Sequence, residues 1–293
     1  PLVFLEEMIP ENIFAAAGDN SKMLQIIFFA ILFSVAIVMI PGKQTEVVRK
    51  FFDDLNAIVL KIIDMIMFTA PYGVFALMAA LFVDFSGDAE LFGALGMYIL
   101  TAAISLFILI LVFYPLIIRL VASVPLFRFL RGILPAQMVA FSTSSSAATL
   151  PVTMKQVINE FRVSRGIANF VLPVGVTINM DGTSCYQAVA AVFIAQVFGM
   201  DLTLSQQLII VLTATLASIG TPGVPGGSIV MLVIVLNSVG IPAEGLALIL
   251  GVDRPIDMLR TVVNITGDST VATMVAKSEN ELDTDESPDL STS

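Results

Sequence analysis

The last long apolar segment of the chain, residues 245–276, carries Asp253, Asp257, Arg260, Asn264 and Asp268. At 3.6 residues per turn these five fall within about 80° of one helix face. Placing an Asp or Arg at mid-bilayer costs about 2.5–3.5 kcal/mol per residue, so a lipid-facing stripe of this kind opposes insertion. The stripe must face protein, water, ions or a ligand, and it is therefore a candidate site.

A membrane setting follows from composition. Hydrophobic residues make up 57% of the 293 residues and charged ones 13%, against about 25% charged in ordinary soluble domains; mean hydropathy is +0.95. The uncharged runs 23–42, 65–83, 94–118 and 182–200 lie in or near the range of about 17–25 residues that crosses a bilayer as a helix. They lack the period-two alternation of a membrane β-barrel. The expected class is an all-α multi-pass membrane protein. The chain has no His and one cysteine, Cys185, which excludes His-based relays, His metal ligands, an intrachain disulfide and any multi-cysteine metal site. It opens on Pro1 with no initiator Met or cleavable signal, and N-terminal helices are expected to be missing from it.

The net charge of −10 is concentrated at one end. Residues 278–293 hold six acids and no base, and this acidic tail is expected to be disordered. Elsewhere the cations indicate orientation. Lys43, Arg49 and Lys50 lie in one connection, Arg119, Arg128 and Arg131 in a second, and Lys155, Arg162 and Arg165 in a third, while connections 83–91, 198–205 and 237–245 contain no Lys or Arg. The basic connections are expected inside and the cation-free ones outside. Lys22 is the exception, on a segment that also carries Glu6, Glu7, Glu11 and Asp19; Lys277 places the tail in the cytoplasm.

Two segments do not read as ordinary spans. Residues 202–243 are uncharged, yet Gly220, Pro222, Gly223, Pro225, Gly226 and Gly227 interrupt them near the middle. Gly and Pro at that density end a helix, leaving a helical hairpin at about 202–237 that enters from outside and returns. The segment at about 126–160 is centred on Ser142, Thr143, Ser144, Ser145 and Ser146, followed by Thr149, Leu150 and Pro151. Its apolar arm is too short to span and both flanks are basic, so it is expected to re-enter from the cytoplasm. Loop backbone at membrane depth is tolerated only when buried in protein or lining a cavity. Two such tips imply an internal chamber.

Each hairpin precedes a long helix with a related polar break: Asn179 to Thr183 in the segment 165–199, and Asn264 to Asp268 in the segment 241–277. With the hairpins entering from opposite sides, the repeats are inverted. Transporters place substrate and coupling ions at such junctions.

With these residues assembled, the stretch from about 25 to 277 resembles the dicarboxylate/amino acid:cation symporters, the family of glutamate and aspartate transporters. The motifs that carry the resemblance are Ser144, Ser145 and Ser146 with Thr149, Leu150 and Pro151; Leu172 and Pro173 leading to Asn179, Met180, Asp181, Gly182 and Thr183; the tip at Ala217, Ser218, Ile219 and Gly220; and Asp257, Arg260, Thr261, Asn264, Gly267 and Asp268. The resemblance implies an eight-span protomer with two hairpins, a homotrimer in the cell membrane and elevator-type alternating access. Aligned by motif, the chain begins within the family's fourth span. Residues 1–83 would be the remainder of the scaffold and trimerisation domain, and 84–277 most of the transport domain. The implied partners are an acidic amino acid and the bilayer, with Na⁺ as coupling ion, no organic cofactor and no nucleic acid.

The substrate side of the site combines chemistry and resemblance. Arg260 offers a planar fork suited to a carboxylate and matches the family's ligand for the substrate side-chain carboxylate. Asp257 matches the acid that receives the α-amino group. Asn264, Thr261 and Thr183 match polar contacts. Ser144, Ser145 and Ser146, with Ser218, Gly223, Val224 and Pro225 of the second tip, would supply hydroxyl and backbone N–H groups. An Asp257–Arg260 ion pair that merely neutralises itself would leave Asp253 and Asp268 on the same face without partners; Arg254 could partner Asp253, although its direction differs from the stripe.

The stripe together with Asp181 has four carboxylates to the one Arg260, so hard cations with oxygen ligands are expected. By resemblance, Gly175, Asn179, Asn264 and Asp268 form one Na⁺ site, Thr177, Ser218, Ile219 and Thr221 a second, and Asn179 with Asp181 part of a third. Proton coupling through Asp253 or Asp268 is the rival. Three departures from relatives bear on this. Ser144 stands where some archaeal members have Arg, a charge Arg254 could supply instead. Gln187 stands where mammalian members have a Glu tied to proton and potassium coupling, which argues against K⁺ counter-transport. Dicarboxylate-type members lack the acid matching Asp257, so its presence favours an amino acid over malate or succinate. The main alternative is a proton-coupled C4-dicarboxylate or glutamate symporter. An intramembrane aspartyl protease using Asp181 and Asp268 is a remote one, because Arg260 favours ionised carboxylates where that chemistry needs a shared proton. A passive anion channel is a third.

Overall fold

The computed structural model describes residues 9–18, 22–84, 89–219, 221 and 223–282. The acidic tail from 283 onward, and Gly220 and Pro222 of the second tip, lie outside the described residues. Within them the chain is helical, apart from one antiparallel bridge between Val163 and Leu282. In order the helices are α1 (Ile13–Ala17), α2 (Met23–Met39), α3 (Gly42–Asp84), α4 (Ala89–Ile108), α5 (Tyr114–Val121), α6 (Leu126–Thr143), α7 (Ser146–Asn159), α8 (Arg165–Ile178), α9 (Asp181–Val197), α10 (Leu204–Ile219), α11 (Gly227–Ser238), α12 (Leu246–Leu250) and α13 (Asp253–Ser278). A π-helical segment, Leu109–Phe113, joins α4 to α5, and a 3₁₀ turn, Ala243–Gly245, precedes α12.

Local chemistry sets the breaks that matter. α6 ends where Ser144 turns left-handed (φ 51°), and the next residue, Ser145, caps α7 by accepting from the Ala148 N–H at 3.2 Å. Ser164 caps α8 in the same way through Ile167. At the second tip the chain turns through Gly226, whose φ of 73° favours glycine, and α11 starts at once. Both hairpins expected from the sequence thus have helical arms. At 1.5 Å per residue, the arms of 18, 14, 16 and 12 residues reach about 27 Å at most, short of a bilayer's ~30 Å core.

The two long segments after the hairpins behave differently. The first divides at Asn179 and Met180, between α8 and α9, as the sequence suggests. The second does not break at Asn264 to Asp268: α13 is continuous through that stretch, and the interruption falls earlier, at Gly251 and Val252. One glycine inside a helix costs only about 1 kcal/mol relative to Ala, and the hydroxyls of Thr266, Ser269 and Thr270 fold back onto carbonyls four residues earlier. Gly267 is there for a different reason. A Cβ on it would stand 2.8 Å from an Asp181 carboxylate oxygen and 3.0 Å from the Tyr114 hydroxyl.

The core lies among α4–α13, with Leu106, Ile118, Phe129, Ile133, Leu172, Ile194, Leu232 and Leu236 essentially inaccessible. The outward side of α4 and α5 presents Phe107, Ile108, Leu111, Val112, Leu116 and Leu120. Among the described residues one helix, Phe92–Val121, is long and apolar enough to cross a membrane.

Candidate functional site

α13 runs through the middle of this helical body and buries its polar stripe completely. Asp253, Asp257, Arg260, Asn264 and Asp268 are all no more than 5% exposed. The tips of both hairpins close over the stripe. Ser145 Oγ donates to the Gly223 carbonyl at 2.9 Å and the Ala147 N–H to the same carbonyl at 3.3 Å, joining tip to tip. The Gly226 N–H donates to Asp257 Oδ2 at 3.1 Å, joining the second tip to the stripe.

Between them lies a small polar cavity. Its walls come from the first tip (Ser144, Ser146), the start of α9 (Met180, Thr183), the second tip (Thr221, Gly223, Val224, Ser228) and α13 (Asp257, Arg260, Thr261, Asn264). Nine of the twelve residues the sequence assigns to substrate are therefore brought together, and Ser218 stands outside the cavity walls. Ser145 instead caps α7 and links the tips, and Pro225 is half-buried in the turn before Gly226.

The charges in the cavity are paired. Arg260 donates from Nη2 to Asp257 Oδ1 at 2.5 Å and from Nη1 to Asp253 Oδ1 at 3.4 Å, and its guanidinium lies 4.1 Å over the Tyr186 ring. The i,i+3 pair weighed from the sequence is thus formed, and Asp253 has a partner after all: Arg260, two turns along the same face. Arg254, half-exposed, reaches Asp257 Oδ2 at 3.6 Å rather than Asp253 or the first tip. Taking ions out of water costs several kcal/mol each unless geometry repays it, and here each carboxylate meets a cation and the arginine meets an aromatic face.

Asn264 serves another purpose. Its Oδ1 accepts from the Gly182 N–H at 2.8 Å, and its Nδ2 faces the Thr183 hydroxyl at 3.3 Å, so it ties the free N-terminus of α9 to α13. The approach is so close that a Cβ on Gly182 would meet the Arg260 carbonyl at 2.7 Å. Thr261 bonds back to the Asp257 carbonyl.

A second acidic group sits one turn beyond. Asp268 packs onto Gly175, where a Cβ would be 2.5 Å from Oδ1, and that oxygen accepts from Asn179 Nδ2 at 2.9 Å. Its other oxygen, Oδ2, is buried with no hydrogen-bond partner among the described residues. Asp181, in the first turn of α9, accepts from the Tyr114 hydroxyl at 2.7 Å. These carboxylates have neutral partners only, and a buried acceptor with none is a position a cation would satisfy. Gly175, Asn179, Asp181 and Asp268 are thus brought together, while Asn264 is turned toward α9. Of the other expected cation ligands, Ser218 and Thr221 are buried beside the second tip, Ile219 is half-buried and Thr177 is exposed; its neighbour Val176 packs against Gly223.

Sequence reasoning missed Ser228, Tyr186 and Tyr114, each in an apolar or small-residue run where its type reads as core, and gave Met180, inside the polar break, no role of its own. The Ser144, Ser228 and Gln187 side chains also keep buried oxygens without partners among the described residues, polar atoms that a bound molecule or water would satisfy.

Comparison with known proteins bears on this geometry. The profile described as the sodium:dicarboxylate symporter family matches residues 1–278. Excitatory amino acid transporter 4 of Rattus norvegicus is 41% identical over 97% of this chain and 50% of its own length. Excitatory amino acid transporter 3 of Oryctolagus cuniculus is 43% identical over 91% of the chain and 51% of its own. The proton/glutamate-aspartate symporter of Bacillus subtilis (strain 168) is 40% identical over 93% of the chain and 64% of its own. The chain spans about half the length of the animal relatives it matches.

Proposed function

The chain belongs to the sodium:dicarboxylate symporter family, and from that premise we propose that it carries the substrate and cation sites of a Na⁺-coupled symporter of acidic amino acids, L-aspartate or L-glutamate. Members of this family are transporters rather than enzymes. The observation that carries the substrate reading is the buried Arg260–Asp257 pair in a cavity between two hairpin tips.

An acidic amino acid presents two carboxylates and one ammonium. On binding, its side-chain carboxylate takes the Arg260 fork and its ammonium takes Asp257. The pair Arg260–Asp257 opens, and each of its charges is met by an opposite charge of the substrate. Removing one partner of a buried pair without replacement costs about 3–5 kcal/mol, so this exchange favours a zwitterion. Malate would satisfy Arg260 and leave Asp257 with only the peripheral Arg254. The Gly226 N–H on Asp257 Oδ2 couples that exchange to the second tip.

The substrate adds a net negative charge to a region where Asp181 and Asp268 already lack cationic partners. Na⁺ at the unpartnered Asp268 Oδ2, with Asn179 and the Gly175 carbonyl beside it, and at Asp181 offsets that charge, and it travels as co-substrate. Short hairpin arms entering from opposite faces, inverted repeats, movement of the transport region (84–277) against the scaffold (1–83), a trimeric assembly and a cytoplasmic C-terminus complete the proposal, supported by the family and by the basic connections.

The test is radiolabelled L-aspartate uptake by the protein in proteoliposomes, under inward Na⁺ or inward H⁺ gradients, with glutamate, serine and malate as competitors. Na⁺-driven uptake blocked by glutamate and not by malate supports the reading. The relative named as a proton symporter makes the other outcome concrete: uptake driven by H⁺ alone, or blocked chiefly by malate, overturns the ion or the substrate.

A further inference from the structure

Tyr114 is 3% exposed and donates its hydroxyl to Asp181 Oδ2 at 2.7 Å, across from α5 to α9. Three features built around that contact distinguish it from incidental packing. The Leu109–Phe113 segment immediately before Tyr114 is π-helical, with the Tyr114 N–H bonded to the Leu109 carbonyl five residues back. Such segments are rare and recur at functional positions. This one has a geometric consequence. From Tyr98 to Ala122 buried residues recur at every fourth position, Tyr98, Ala102, Leu106, Ile110, Tyr114, Ile118 and Ala122, with Pro115 also buried beside Tyr114. A four-residue step drifts about 40° around an α-helix, and the π segment offsets part of the accumulated drift just before Tyr114, which faces α9. Finally, Gly267 of α13 leaves the slot in which both groups meet, since a Cβ would fall within 3.0 Å of either.

We propose that Tyr114 is a positioning residue for cation binding at Asp181: its hydroxyl holds Oδ2 and orients the carboxylate so that Oδ1 faces the cation. This rests on Asp181 being a cation ligand, as in the proposed function. The hydroxyl sets the affinity of that site for its cation and leaves the substrate cavity, whose walls it does not reach, unchanged.

The test compares the purified protein with Tyr114→Phe, Asp181→Asn and the double variant. L-aspartate binding is titrated with Na⁺, and separately with aspartate at saturating Na⁺. Hydrogen bonds to charged groups are among the stronger ones, and the expected result is that Tyr114→Phe raises the half-effective Na⁺ concentration about tenfold. Aspartate affinity at saturating Na⁺ stays within about twofold, and Tyr114→Phe adds nothing in the Asp181→Asn background. Two results overturn the inference: a Na⁺ titration shifted by Asp181→Asn and not by Tyr114→Phe, or an equal shift from Tyr114→Phe in both backgrounds, which means that it acts elsewhere. A titration that Asp181→Asn leaves unmoved overturns the ligand reading of Asp181 itself, and the role of Tyr114 falls with it.

Discussion

The two acidic clusters of this site are built from the same residue type and treated oppositely. Asp253 and Asp257 share Arg260, with Arg254 adding a second cation at the edge. Among the described residues Asp181 and Asp268 receive only a tyrosine hydroxyl and an asparagine amide, and Asp268 Oδ2 receives nothing. A carboxylate already paired with arginine can change partners with a zwitterion at little electrostatic cost. One left with neutral donors awaits a positive charge from outside the protein. The difference lies less in the aspartates than in what α9, α5 and the turns of α13 bring against them, and under the proposed function it divides the site into an organic half and an ionic half.

The division is broken most directly by Arg260→Cys. It removes the only cation of the organic half that is fully buried, at a cost on the order of 3–5 kcal/mol for the carboxylates left behind. Acidic substrates are expected to lose more than about a hundredfold in affinity, with neutral amino acids gaining relative to them. Competition binding against aspartate and serine measures this, and unchanged aspartate affinity removes Arg260 from the substrate. Asp268→Asn is next and strikes the other half. Na⁺-dependent aspartate binding should require roughly a hundredfold more Na⁺, on the scale of one lost charge-assisted interaction, while substrate selectivity stays as it was. A change of selectivity in this variant would merge the two halves into one.

Asp257→Ala tests the organic half from its other pole. Amino acids should weaken by about ten- to a hundredfold, on the scale of a lost hydrogen-bonded charge, and dicarboxylates by much less, because they carry no ammonium. Equal loss for both, in parallel competition curves, leaves Asp257 with no role in recognising ammonium.

These predictions draw on residues of unequal visibility in the sequence. The stripe was legible because its spacing fixes one face, and the hairpins because serines, Gly226 and the prolines interrupt apolar runs that no other signal would end. The interruption of the last helix was misplaced for an instructive reason. The sequence pattern places Gly267 within a polar break, whereas α13 runs through it and uses the missing side chain to admit Asp181 and Tyr114. The partners of Asp253 and Arg254 depend on which rotamers meet, a matter of packing that spacing leaves open. Tyr114 and Tyr186 were invisible, since an aromatic residue in an apolar run carries the same pattern whether its hydroxyl and ring serve a charge or merely fill space.

The glycine makes a smaller and sharper test. In Gly267→Ala the added methyl meets Asp181 and Tyr114 at distances below ordinary contact, and Ala itself favours the helix by about 1 kcal/mol. The helix should hold while the carboxylate moves, giving about tenfold weaker Na⁺ dependence, comparable to one lost hydrogen bond. A Na⁺ titration unchanged beside normal thermal stability would show that the slot has slack and that the ionic half is less tightly built than its distances suggest.

Arg254→Gln should produce the smallest effect and the clearest sign. Arg254 is half-exposed and 3.6 Å from Asp257 Oδ2, so its pairing is worth about 0–1 kcal/mol, at most about fivefold in affinity. The substrate ammonium must compete with it for the same carboxylate. Removing it should therefore tighten amino acids slightly. A dicarboxylate gains no such relief, and loses the one remaining cation that would face Asp257 once Arg260 has turned to the ligand, so its binding should weaken. Opposite shifts for aspartate and malate, measured by competition in one preparation, follow only if Asp257 exchanges an internal cation for the ligand's own. Shifts of the same sign would mean that Arg254 acts on the cavity as a general field, and that the organic half recognises charge without distinguishing ammonium from carboxylate.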